Sequence, residues 1–218
     1  MGYILGIDQG GTKTAAAVMD EAGKILGIAT RRGAYYPTDG MASAFTKIKE
    51  AVEEAIAQAG ITREQIGTAI AGITGIDWRG DEEKVTEELK KILEISDLHA
   101  YNNAVIALYC VEEGEGDMVL CARTGMNAAV RDGEEYAGRM AEYIYVGLER
   151  VPRQKKKKTA VLAGSVFKGE ENLLTSQVIR QVKAKKENVD VILADCDPVI
   201  GACRMGRERK NGKKADNK

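Results

Sequence analysis

The densest group of chemistry-bearing residues is Gly6-Ile7-Asp8-Gln9-Gly10-Gly11-Thr12-Lys13-Thr14. A carboxylate, paired glycines, hydroxyls and a lysine in one short run suit a phosphate with a divalent cation. Gly10 and Gly11 let the backbone turn tightly and approach an anion. Their amides, with the Thr12 and Thr14 hydroxyls, supply donors to phosphate oxygens. Asp8 can hold Mg²⁺ through water, since Mg²⁺ takes oxygen ligands and keeps part of its hydration shell. The run nearly matches the P-loop pattern G-x4-G-K-S/T, but Thr12 is inserted before Lys13. A P-loop must open a helix whose N-terminal amides hold the phosphate. Here Asp20-Glu21-Ala22-Gly23 turns the chain too soon for a useful helix, so the motif reads as a β-hairpin.

The elements that must position this hairpin follow from the apolar pattern. Residues 3–8, 14–19 and 24–30 are three short apolar runs separated by turn residues, which predicts an antiparallel meander. Residues 41–59 carry apolar side chains at Ala44, Phe45, Ile48, Ala51, Val52, Ala55 and Ile56, a helical stripe closed by Gly60. A buried strand is expected over 67–75. An amphipathic helix follows over 81–95, acidic at its start and basic near its end, as the helix dipole favours. A strand over 98–102 and a helix over 104–111 complete the order β-β-β-α-β-α-β-α. The order then restarts, with strands expected at 117–123, 126–131 and 135–137. TAAAVMDEAG (residues 14–23) and MNAAVRDGEE (126–135) form a weak internal repeat. A strand over 159–163, a helix over 165–185, a strand over 189–194 and a closing helix over 198–206 follow. Residues 140–158 show no convincing regular pattern.

Composition bounds the function classes. The chain has 218 residues, 44% hydrophobic and 30% charged, which predicts a globular α/β protein large enough for two small lobes. A single His, His99, excludes any mechanism that needs two imidazoles, and His99 itself reads as a strand-edge residue. Cys110, Cys121, Cys196 and Cys203 show no CxxC spacing. They read as buried reduced thiols in a cytoplasmic protein. No apolar run approaches the roughly 20 residues that span a bilayer, so no membrane contact is expected. Charge is uneven: residues 1–138 carry 13 basic and 23 acidic residues, and residues 139–218 carry 19 and 10. The basic excess lies in Lys155–Lys158 and in the tail. It lacks interleaved aromatic rings to stack bases, which argues for a solvated loop and a frayed tail rather than a nucleic-acid surface.

Three further groups carry weaker chemical signals. Asp77 follows Gly75 at a strand end and either contacts a hydroxyl, acts as a base or caps the following turn. Trp78, the only Trp, either stacks on a sugar or packs. Asn102-Asn103 ends the strand before the last helix of the first half.

The motif GIDQGGTKT resembles the first phosphate loop of the sugar kinase/Hsp70/actin superfamily, here in its branch of N-acetylglucosamine kinases and BadF/BadG/BcrA/BcrD-type ATPases. AGITGIDW (71–78) is similar to that branch's strand and loop after the first long helix. YNNAVIAL (101–108) is similar to its connector, and RTGMN (123–127) to its second phosphate loop. VLAGSVF (161–167) resembles its adenosine loop, and PVIGACRMG (198–206) its closing helix. The resemblance implies two ribonuclease H-like, actin-like ATPase lobes, each a mixed sheet with a β-meander and helices, the second truncated. It places them at residues 1–114 and 115–206, before a basic tail at 207–218. It implies ATP and Mg²⁺ as cofactors. Asp8 would act on the metal, and Gly10, Gly11, Thr12, Lys13 and Thr14 on phosphate. Thr124, Gly125 and Asn127 would form the second phosphate contact, and Gly164 and Ser165 the adenosine contact. The implied reaction is transfer of the ATP γ-phosphoryl group to a sugar hydroxyl, with an amino sugar as the acceptor; Asn102 and Trp78 are the candidate substrate contacts and Asp77 a candidate substitute base beside the Asn103 position. A homodimer is compatible with it.

The departures from the pattern bear on turnover. The family's kinases place a proton-accepting Asp after the connector Asn, and here Asn103 stands there. An amide accepts no proton at neutral pH, and a general base contributes typically about 10²–10⁴-fold. Arg123 replaces a Gly, Met126 a polar residue, and Gly164-Ser165 a Gly-Gly pair. Tyr36 lies near a position that is Asn in sugar-binding members. The segment that helps close the cleft is reduced to residues 140–158. An impaired, nucleotide-binding regulator is therefore the alternative expectation. An activator ATPase of an iron–sulfur dehydratase ranks below it, because Cys121 has no second Cys at suitable local spacing.

Overall fold

The structure is a computed structural model that describes residues 2–34, 36–77, 80–111, 116, 118–121, 133–150, 157–167, 172–186 and 188–216. The chain divides into two compact units, Met1–Tyr109 with Asp197–Lys218, and Cys110–Cys196.

The first unit is built on a five-stranded mixed sheet. Strands β1 (Tyr3–Gln9), β2 (Lys13–Met19) and β3 (Ile25–Arg32) form the expected antiparallel meander. After a short turn of helix, α1 (Tyr36–Asp39), comes α2 (Met41–Ala59), with β4 (Ile66–Ile73) following it. Then come α3 (Asp81–Leu93), β5 (Leu98–Asn102) and the short α4 (Asn103–Ala107). The strand order is β3-β2-β1-β4-β5, with β4 and β5 parallel to β1.

Alternation along the strands divides the sheet's side chains between two cores. Leu5, Ile7, Ala69, Ala71 and Ile73 bury with Ile48 and Val52 of α2 and Val85 and Leu89 of α3. Ile4, Ala15 and Ala17 bury with Val199 and Cys203, and Ile70 with Ile106 and Ala202. Val199, Ala202 and Cys203 belong to α7 (Pro198–Asp216). At Gly6 that helix comes so close that a Cβ would meet the Cys203 sulfur at 2.6 Å.

Helix α7 corrects two expectations. It is one helix to Asp216, longer than 198–206, and residues 207–216 are not a frayed tail. It also belongs to the first unit and not to the second. The physical reason lies in its apolar face and one anchor: the Lys210 ammonium donates to the Gly2 carbonyl and to the Glu21 carboxylate (2.6 Å).

The second unit holds a three-stranded parallel sheet, β6 (Met118–Cys121), β7 (Lys158–Ala163) and β8 (Val189–Leu193), in that order. Helices α5 (Gly133–Glu149) and α6 (Leu173–Lys185) cover it. Met140, Ile144 and Leu148 pack with Leu162, Phe167, Val178 and Val182. The strand expected at 135–137 is instead the start of α5, and residues 140–149, expected to be irregular, continue it. Ala137, Met140, Ala141, Ile144 and Leu148 are all buried. Their three- and four-residue spacing is a helical stripe that outweighs the local resemblance to the opening hairpin. The helix expected over 165–185 starts as a 3₁₀ turn (Ser165–Phe167), and its α-helical part is α6. The strand expected at 126–131 lies outside the described residues.

Candidate functional site

Strands β1, β4 and β5 run parallel, so their carboxyl ends share one edge of the sheet. Such edges, where loops leave the strands, are where open α/β sheets bind ligands. The pairing register aligns Asp8 with Gly72 and Tyr101, and Gln9 with Ile73 and Asn102. Four sequence-predicted positions therefore meet at this edge: Asp8, the 10–13 hairpin, the 74–77 loop and Asn102-Asn103.

The hairpin is tight and its tip faces solvent. The Gly10 amide donates to the Lys13 carbonyl at 2.8 Å, which closes the turn. That bond engages the Gly10 amide within the turn. Gly11, Thr12 and Lys13 are exposed. Among the described residues the Gly11 and Thr12 amides have no backbone partner. The Lys13 ammonium pairs with the Asp197 carboxylate at 3.3 Å, both about half exposed. Asp8 is 4% exposed and Thr14 is fully buried, and the Thr14 hydroxyl has no hydrogen-bond partner among the described residues.

Two residues that the motif did not reveal brace this hairpin. Gln9 is buried, and its amide nitrogen donates to the Ala34 carbonyl and to the Gly10 carbonyl (3.3 Å). Gly33 donates its amide to the Thr12 carbonyl at 3.0 Å. A Cβ on Gly33 would collide with the Gly10 carbonyl oxygen and the Lys13 nitrogen. The signal for Gly33 was its place at the end of β3, opposite the hairpin, which becomes visible only once the meander pairs.

The connector is locked by its asparagines. Asn102 caps α4, its side-chain oxygen accepting from the Ala104 amide at 2.9 Å. Its amide nitrogen donates to the Ile76 carbonyl (2.9 Å) and to the Asp77 carboxylate (3.1 Å). The Asn103 amide nitrogen donates to the Thr74 hydroxyl at 2.8 Å. The Thr74 amide in turn donates to the Gln9 carbonyl at 3.0 Å. Asp77 is exposed at the edge. His99 lies lower on β5 and pairs with Asp97 at 3.0 Å.

In the second unit, Gly164 follows β7 with φ 112°, and its carbonyl accepts from the Phe167 amide at 3.3 Å. Ser165 is exposed. Cys121 ends β6. Trp78, Arg123, Thr124, Gly125, Met126 and Asn127 lie outside the described residues. Among the described residues no three His, Cys, Asp or Glu side chains cluster to hold a metal ion, and no helix is long and apolar enough to cross a membrane.

The family model for the BadF/BadG/BcrA/BcrD ATPase family matches residues 5–145. The chain belongs to that family. The matched stretch holds the hairpin, the 74–77 loop and the connector, so the edge just described lies wholly inside the BadF/BadG/BcrA/BcrD ATPase region. Comparison with curated proteins finds no match. Among solved structures, the chain is similar to the ROK hexokinase of Thermus thermophilus, with 16% identity, 97% of this chain and 99% of that chain covered, and a TM-score of 0.67. It is similar to a ROK family glucokinase of Streptomyces griseus in complex with glucose and AMPPNP (16% identity, 95% and 100% covered, TM-score 0.59). It is also similar to component A of the (R)-2-hydroxyglutaryl-CoA dehydratase of Acidaminococcus fermentans (11% identity, 97% and 100% covered, TM-score 0.52). These likenesses show the fold, the α/β fold of the actin-like ATPases and sugar kinases. The chain thus combines membership of the BadF/BadG/BcrA/BcrD ATPase family with this fold.

Proposed function

We propose that the chain binds ATP with Mg²⁺ at the carboxyl edge of β1, β4 and β5 and passes the γ-phosphoryl group slowly to a sugar hydroxyl or to water. One observation carries the reading. An exposed hairpin tip presents the Gly11 and Thr12 amides, which have no backbone partner among the described residues, and the hairpin follows a buried carboxylate, Asp8. Thr14, one residue before Ala15, faces the other side of the sheet from Asp8, so the phosphate contact rests on the hairpin tip. A single carboxylate suits Mg²⁺, which binds through one or two carboxylates and keeps several waters. Bound there, the ion would neutralise phosphate charge.

The residues then divide the work. Gly11, Thr12 and Lys13 hold and orient phosphate. In phosphoryl transfer most of the catalysis is such positioning and charge stabilisation. Thr124, Gly125 and Asn127 are assigned to phosphate, and Gly164 and Ser165 to adenosine, by the sequence resemblance. Asn102 holds Asp77 and orients its carboxylate towards solvent, where an amino sugar hydroxyl can meet it. The S. griseus neighbour holds glucose and an ATP analogue, which supports a sugar as the acceptor class. Calorimetry with ATP and Mg²⁺, followed by ADP release over a panel of sugars and amino sugars, tests the reading. Micromolar binding with sugar-stimulated ADP release is the expected result, and absence of ATP binding overturns it.

A second reading is a nucleotide-binding regulator that does not turn over. Asn103 favours it, since at the connector position an amide donates to Thr74 and no carboxylate is present to take a proton. Binding with no stimulation by any sugar decides for this reading.

A further inference from the structure

Lys13, Ala15 and Ala17 alternate onto one face of β2, and Ala15 and Ala17 pack there with Val199 and Cys203 of α7. Lys13 lies on the same face, and its ammonium meets the Asp197 carboxylate, just before that helix, at 3.3 Å. Asp197 is fixed from both sides. Its carbonyl accepts from the Ile200 and Gly201 amides (2.9 and 3.4 Å) as the first turn of α7 forms, and Pro198 is pre-organised for that turn. Two residues earlier, the Asp195 amide donates to the Cys110 carbonyl at 3.0 Å. Strand register adds a reason for the ion pair. Lys13 stands directly opposite Arg32 of β3, and like charges opposite each other on a sheet repel. Asp8 shares this face, since it alternates with Ile4 and pairs with Ala15. Two carboxylates, Asp8 and Asp197, thus stand on the face of the hairpin that carries Lys13.

We propose that Asp197 is a specificity-determining residue of the phosphate site: it makes the hairpin select a metal-complexed triphosphate over the free polyanion. This rests on the reading above that Lys13 holds phosphate. A phosphate oxygen that the Lys13 ammonium holds at about 2.8 Å stands within about 6 Å of the Asp197 oxygen, given the 3.3 Å pair. At that distance in water a carboxylate weakens binding by about threefold per unit of negative charge on the ligand. The Mg²⁺ complex of ATP carries two fewer negative charges than free ATP, so Asp197 opposes it less. Asp8 would hold the metal, and Asp197 would disfavour a ligand that lacks it. Both partners of the ion pair are about half exposed, so the pair itself adds little stability, and removing its charge leaves the fold intact.

The test is calorimetry of the full chain with ATP, once with Mg²⁺ and once with EDTA. In Asp197→Asn at low salt the metal-free affinity rises at least threefold. The affinity with Mg²⁺ rises less, so the preference for the metal complex falls. In about 1 M salt, where the Debye length is about 3 Å, the difference from wild type shrinks. Asp197→Glu keeps the charge and retains the wild-type preference, and the urea midpoint of both variants stays close to wild type. The metal-free titration separates this role from that of Asp8, whose loss acts on the Mg²⁺ titration. An unchanged preference in Asp197→Asn, where wild type binds ATP, overturns this inference alone. Weaker binding of the Mg²⁺ complex by Asp197→Asn also overturns it, because Asp197 would then be a ligand of the metal or a support for Lys13. No binding of ATP by wild type overturns the reading beneath it, and this inference with it.

Discussion

The Asn103 side chain donates a 2.8 Å hydrogen bond to the Thr74 hydroxyl, so the loop after β4 and the start of α4 are joined at the position that the sequence resemblance assigns to a kinase base. An Asp in the same rotamer would accept from that hydroxyl, because a threonine O–H both donates and accepts. Asn103→Asp therefore leaves the urea midpoint close to wild type. It raises sugar-dependent ADP release by about 10²–10⁴-fold, the usual worth of a general base. Steady-state ADP release with both proteins measures it, and an unchanged rate refutes the connector assignment.

Gly33 fills the space behind the hairpin, and a methyl group there would strike the Gly10 carbonyl. That atom is backbone, so relief requires the hairpin itself to move. Gly33→Ala weakens ATP binding at least tenfold, about 1.4 kcal/mol, while the far-ultraviolet circular dichroism keeps its wild-type form. Calorimetry at matched Mg²⁺ checks the first outcome and dichroism the second.

Asp8 is buried at the end of β1, next to the turn that would carry phosphate. Asp8→Asn keeps the shape and removes the charge. The expected consequence is loss of the Mg²⁺ dependence of ATP binding, with the metal-free affinity little changed. ATP titrations with Mg²⁺ and with EDTA give the comparison. An undiminished Mg²⁺ effect in the variant places the metal elsewhere.

Burial pushes the Cys203 thiol from 9.0 up to about 12, opposed in part by its bond with the Gly6 backbone. The folded state therefore keeps the proton that the unfolded chain gives up near pH 9. The resulting stability is fully present below about pH 9. It is lost as pH rises through the window to about 12, with a slope of at most ~1.4 kcal/mol per pH unit from this group. Urea unfolding of wild type and Cys203→Ala at pH 8 and pH 10.5 isolates it, and the stability gap between the two proteins narrows at the higher pH. In the folded protein iodoacetamide leaves Cys203 unmodified at pH 8.

Much of the first unit was legible because its signals are local. Three apolar runs with turns between them make a meander, and the 41–59 stripe makes a helix with one buried face. α5 was missed for a local reason as well: AAVRDGEE copies the opening hairpin, and the helical stripe begins only at Ala137. The true extent of α7 was hidden differently. Residues 207–216 are polar, and a polar helix holds only where something anchors it. Its anchor, Lys210 on Gly2 and Glu21, connects opposite ends of the chain.

The sequence by itself determined the hairpin, the acid before it and the amide at the connector, because each is a matter of residue type within a few positions. The tertiary structure alone decided which hairpin amides stay open, that Gly33 and Gln9 brace the turn, and that Asn102 holds Asp77. Those contacts join β1 to β3, β4 and β5. Parallel pairing aligns strand ends that lie tens of residues apart, and only the folded sheet sets that register.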